Sequence, residues 1–137
     1  MMRSLWIGCL LGLMACGSDE DETTAYTGDG EVVTQNNLYH LKLVSAPYPH
    51  QAGQVQLSIQ LSDNQNNQTP VTGATLQVTP LMPDMGHGIN EDVQATESGN
   101  GDYLATWSYS MAGQWELTLD VDASMGTDKV IVTYDVE

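Results

Sequence analysis

Between residues 36 and 137 apolar and polar side chains alternate with a period of two. Val55, Leu57, Ile59 and Leu61 take turns with Gln54, Gln56, Ser58 and Gln60, the pattern of a strand with one buried and one wet face. The alternation returns at Ala74, Leu76 and Val78, at Tyr103, Ala105, Trp107 and Tyr109, at Trp115, Leu117, Leu119 and Val121, and at Val130, Val132, Tyr134 and Val136. Two weaker strands fit 37–45, with Leu41 and Leu43 inward, and 92–97. No stretch carries a helical period. Turn formers separate the runs: Pro47, Pro49 and Gly53, then Asp63 to Asn67, Pro83 to Gly88, Gly99 to Gly101, Gly113 and Gly126. The pattern predicts an all-β chain, an immunoglobulin-like antiparallel β-sandwich of about seven strands, with a small barrel as the alternative.

The first 35 residues follow a different rule. Arg3 precedes an apolar run over Leu5–Met14, about as long as the apolar region of a secretory signal and too short to span a bilayer. Leu13-Met14-Ala15-Cys16 resembles a lipobox, which implies a signal peptide over 1–15, cleavage before Cys16 and lipidation of its thiol. Residues 16–35 are acidic and glycine-rich and are expected to be a flexible tether, leaving 36–137 as the folded domain. The expected location is the cell envelope, with the chain anchored to the membrane through Cys16 and facing the periplasm or the outside. Gly17, rather than Asp, after the cysteine favours the outer membrane if the host is Gram-negative.

Charge narrows the partners. Lys and Arg number 3 against 18 Asp and Glu, a formal net charge of −15. Once 1–15 are removed, Lys42 and Lys129 are the only cations left. Nucleic acid is excluded, since phosphate binding needs clustered Lys and Arg, and so is adsorption to anionic lipid. The field instead draws cations to the surface. Cys9 leaves with the signal and Cys16 is acylated, so no thiol remains for a disulfide, a zinc site or a nucleophile. No catalytic motif stands out, and an enzyme is not expected.

One segment is unusual for a loop. Pro80-Leu81-Met82-Pro83-Asp84-Met85-Gly86-His87-Gly88 places two methionines and a histidine within six residues. Thioethers and imidazole suit Cu(I), a soft ion. In a sandwich of this order the connections at 46–50, 80–88 and 110–113 fall at one end, so Met82, Met85, His87, Met111 and His50 are candidate metal ligands. The competing reading is packing: Met82 and Met111 plug the open end, His87 fixes its loop by bonding to backbone carbonyls, and His50 is a solvated loop histidine. Trp107 and Trp115 follow the strand period and read as core, although Trp115 could also face a bound cation. His40 reads as structural, and Tyr103 as a corner tyrosine bonding back to the chain. Asp120, Asp122 and Asp128 flank a turn but lack the spacing of an EF-hand, and surface charge explains them better.

Met-Pro-Asp-Met-Gly-His-Gly at 82–88, Gly101-Asp102-Tyr103 and Met111-Ala112-Gly113-Gln114-Trp115 together resemble the YtkA-like domains, related to FixH. The resemblance covers roughly 40–125. It implies an extracytoplasmic immunoglobulin-like sandwich linked to copper handling, with Met82, Met85, His87, Met111 and Trp115 as the motif residues. The expected function is a lipid-anchored binding domain that holds Cu(I), or a similar soft metal, and presents it to a copper-protein or other envelope partner. The alternative is a structural module whose Met-rich loop docks an envelope protein without metal.

Overall fold

The computed structural model describes residues 26–65 and 68–137, and all regular structure among them is β. The ten strands are β1 (Tyr26–Thr27), β2 (Gly30–Val33), β3 (Tyr39–Ala46), β4 (Gly53–Asp63), β5 (Thr75–Met82), β6 (His87–Gly88), β7 (Val93–Gly99), β8 (Asp102–Tyr109), β9 (Gly113–Ala123) and β10 (Gly126–Val136). Seven of these are the strands expected from the alternation, most of them longer than expected, with β5 and β10 extended by four residues at one end. The other three, β1, β2 and β6, are short.

Along the hydrogen-bonded path the order is β1-β10-β9-β5-β7-β8-β4-β3-β2, with β6 beside β5. Every pairing is antiparallel except that of β1 with β10. Strand β7 joins the two layers: Val93–Ala95 pair with β5, whereas Thr96, Glu97 and Gly99 pair with β8 across a bulge. Inward positions from both layers fill one core, in which Leu41, Leu57, Leu61, Leu76, Trp115, Leu117 and Leu119 are fully buried. Each such side chain contributes about 1.5–3 kcal/mol through removal from water.

The expected tether needs correction over its second half. The signal segment 1–15, Cys16 and the tether as far as residue 25 lie outside the described residues. From Tyr26 onward the chain belongs to the fold, not to a linker beginning the domain at 36. Val32 is 2% exposed and lies in the core, and Thr34 is also buried. The reason is edge pairing. β1 adds to β10 while β2 adds to β3, so Gly28-Asp29 steps from one layer to the other. Capping edge strands in this way removes unpaired backbone groups that would otherwise invite association.

Two side chains fix the end of the sandwich away from the Met-rich loop. Tyr103 does form a corner: its hydroxyl donates to Val71 O at 2.9 Å and accepts from Ala74 N–H at 3.0 Å. At the same end, the Asp128 carboxylate accepts from the amides of Asn36, Leu38 and Lys129 and from the Asn36 side chain. Burial raises its pKa, but hydrogen bonds from the Thr34 side chain and from the Lys129, Asn36 and Leu38 amides outweigh this and hold it below the usual value. That carboxylate is occupied in holding the β2–β3 turn against β10, which gives Asp128 a structural role.

Candidate metal centre

The Met-rich segment is a tight hairpin. Met82 ends β5 and pairs with His87, the first residue of β6, and Leu81 pairs with Gly88. The amides of Met85 and Gly86 both donate to Met82 O, at 3.2 and 2.9 Å. Gly86 has φ +68°, a conformation few residues other than glycine adopt cheaply. Gly88 is required for a different reason: a Cβ there would lie 2.5 Å from Pro80 O. Only glycine lets β6 lie this close to β5.

Directly opposed residues of an antiparallel pair share a face, so Met82 and His87 project on the same side. Met82 is 5% exposed and closes the end of the core, with its methyl group against Gly113, where a Cβ would lie 2.5 Å from Met82 Cε. His87 is exposed, and its ring meets Trp115 edge-on at 6.4 Å between centroids. Trp115 in turn donates its indole N–H to Met111 O at 3.1 Å, holding the β8–β9 turn beside the hairpin. Met85 is 56% and Met111 39% exposed. His87 and the Met111 main chain therefore meet Trp115, Met82 is paired with His87, and Met85 stands at the hairpin tip.

Among the described residues no group of three or more His, Cys, Asp or Glu is placed to hold a metal ion. A site at this tip must draw on thioethers. That donor set fits a soft ion such as Cu(I) and does not fit calcium or magnesium, which take oxygen.

His50 lies at the same end but does not join the set. It is 0% exposed and both its nitrogens are engaged: Nε2 lies 2.7 Å from Ser45 Oγ and Nδ1 2.7 Å from the Tyr109 hydroxyl. The proton positions follow by elimination. Ser45 Oγ donates to Asp29 Oδ1 at 2.6 Å, so it accepts from His50 Nε2–H. His50 Nδ1 is then the bare nitrogen and accepts from Tyr109. Asp29 also accepts from the Ser45 amide at 2.7 Å and from the Tyr134 hydroxyl at 2.9 Å. The imidazole stacks on Tyr134 at 3.9 Å. Burial pushes the His50 pKa down to about 4, against an upward pull from Asp29, which keeps the ring neutral at pH 7. Burial likewise raises the Tyr109 and Tyr134 hydroxyls. Removing His50 from the expected ligands is a correction with a clear cause, since a ring with no bare, accessible nitrogen cannot ligate.

His50 also closes the structure. Its carbonyl accepts from Glu137 N–H and Ala52 N–H donates to Glu137 O, both at 2.9 Å, so the β3–β4 connection is sewn to the end of β10. His40 is structural as expected, with Nε2 3.3 Å from Glu31 Oε1 across the β2–β3 pair.

The chain matches the profile of a family described as YtkA-like over residues 22–120. No curated protein matches it. Among solved structures it is similar to a copper-bound variant of FetP from uropathogenic Escherichia coli strain F11, at 14% identity and a TM-score of 0.47, over 81% of this chain and 90% of that one.

Proposed function

The chain belongs to the YtkA-like family, and from the loop tip we propose that it is an extracytoplasmic binding protein holding Cu(I) through Met85, His87 and Met111, with Met82 beneath them. The observation that carries this reading is the pairing of Met82 with His87 across the hairpin, beside a Met111 turn tied down through Trp115. Thioethers bind without losing a proton, and His87 needs only its neutral ring. The site asks for no redox turnover, so binding and transfer are the proposed activity rather than catalysis. The acidic surface enriches cations around the tip. Lipidation at Cys16 would keep the domain at the envelope membrane, within reach of a copper-protein partner.

X-ray absorption at the copper edge on the Cu(I)-loaded full chain tests the ligand set. Sulfur and imidazole scatterers in the first coordination sphere are expected, with sulfur lost stepwise in Met85→Ala and Met111→Ala. A first sphere of light atoms alone would overturn the assignment. A second reading has its own observation: Leu81, Met85 and Met111 are exposed apolar side chains on one end of the molecule. Met-rich surfaces repack readily against partners, so this tip would serve as a docking patch without metal. That reading predicts no copper uptake at all.

A further inference from the structure

From the loop tip to the buried histidine the aromatic rings form an unbroken contact series. His87 meets Trp115 at 6.4 Å between centroids, Trp115 meets Tyr109 at 5.0 Å, and Tyr109 meets His50 at 5.5 Å. The series ends in a hydrogen bond that runs the right way for proton loss, because Tyr109 donates to a bare imidazole nitrogen at 2.7 Å. Beyond that ring, His50 Nε2–H, Ser45 and Asp29 lead to a carboxylate.

We propose that Tyr109 is a redox-active tyrosine that gives up one electron through Trp115 and its hydroxyl proton to His50 Nδ1. The Tyr109 O–H bond breaks and an N–H bond forms on His50. The products are a neutral phenoxyl radical and an imidazolium whose charge is balanced through Ser45 by Asp29. Trp115 passes its electron to the oxidant and recovers one from Tyr109. The oxidant is a one-electron oxidising radical at the loop tip, which takes the electron from Trp115 and is reduced to its anion. The tyrosine chemistry does not rest on the copper reading.

The other buried tyrosines lack this arrangement. Tyr39 and Tyr103 donate to the carbonyls of Gly126 and Val71, which cannot take up a proton. Tyr134 donates to Asp29, but among the described residues its one ring contact is with His50, which leaves it off the Trp115 route.

Pulse radiolysis of the metal-free full chain tests the proposal, with azidyl radicals as the probe that oxidises tryptophan. Indolyl absorption should decay as tyrosyl absorption rises. Tyr109→Phe should remove the fast tyrosyl rise, and Tyr134→Phe should keep it. His50→Gln, which retains a hydrogen-bond acceptor but no base, should slow the rise about 10²-fold, the lower end of what a positioned base supplies. Transfer in the native chain should also slow in deuterated water. A tyrosyl rise unchanged in Tyr109→Phe, or equally fast in a folded His50→Gln chain, overturns the proposal. If His50→Gln does not fold, a missing solvent isotope effect in the native chain overturns it alone. Metal never enters the experiment, so its failure leaves the copper reading intact.

Discussion

At the scale of single residues, the site depends on positions where one atom more would not fit. Gly88 is the sharpest case, since its missing Cβ would meet the Pro80 carbonyl oxygen. Gly88→Ala is expected to cost about 1–3 kcal/mol, the usual penalty of overpacking, and to weaken metal uptake by lifting β6 from β5. Urea unfolding at wild-type stability would contradict this. His50 gives a prediction about pH. Its folded pKa, pushed down to about 4, lies below the ordinary 6.5, so between those values the unfolded chain binds more protons. Stability should therefore fall as pH drops from 6.5 toward 4, with Tyr48, Tyr109 and Tyr134 around the ring and Asp29 reaching it through Ser45. The lowered Asp128 pKa acts in the same direction at its own, more acidic, titration. In His50→Gln the slope between pH 6.5 and 4 should shrink, as read by denaturant midpoints; an unchanged slope would place the acid sensitivity elsewhere. Much of this was legible beforehand: Met82, Met85, His87 and Met111 stand out because thioethers cluster in a loop, and Tyr103 because it follows Gly101-Asp102. The role of His50 was not, because nothing local in Tyr48-Pro49-His50 announces hydrogen bonds to Ser45 and to Tyr109, 59 positions away.

At the scale of elements, the seven long strands were visible because each alternates over enough positions for the period to emerge. β1 and β2 were hidden by their setting. Val32 and Val33 are too few to show a period, and the surrounding Asp and Glu read as linker. They fold because β3 and β10 present edges that accept them, a fact of the assembled sheet and not of the segment. β6 was hidden likewise, since a two-residue strand exists only through its fit against Pro80 and Leu81. Asp29 tests the importance of the β1–β2 crossing. It accepts from the Ser45 amide, the Ser45 hydroxyl and the Tyr134 hydroxyl, so Asp29→Ala strands three donors. A loss of about 1–3 kcal/mol is expected, the cost of leaving such groups unsatisfied. Thermal melting should show it, and an unshifted midpoint would mean that the crossing is incidental to the fold.

At the scale of the whole molecule, one end of the sandwich gathers three connections, the close of β10 and most of the aromatic contacts, while the opposite end is held by Asp128. The net charge of −15 sets the surroundings of that end, where the field favours cations. The anchor is a separate matter with a direct check: Cys16→Ala should move the protein from the membrane to the soluble fraction, and a variant still wholly in the membrane would refute lipidation. The central claim is that the loop tip binds a soft metal, and it is tested most directly by an anaerobic Cu(I) titration of the full chain against a competing chelator, repeated on Met85→Ala and His87→Ala. The account predicts tight one-to-one binding in the native chain, lost or strongly weakened in both variants while their unfolding midpoints stay near that of the native chain. No binding by the native chain, or binding indifferent to both substitutions, would contradict it.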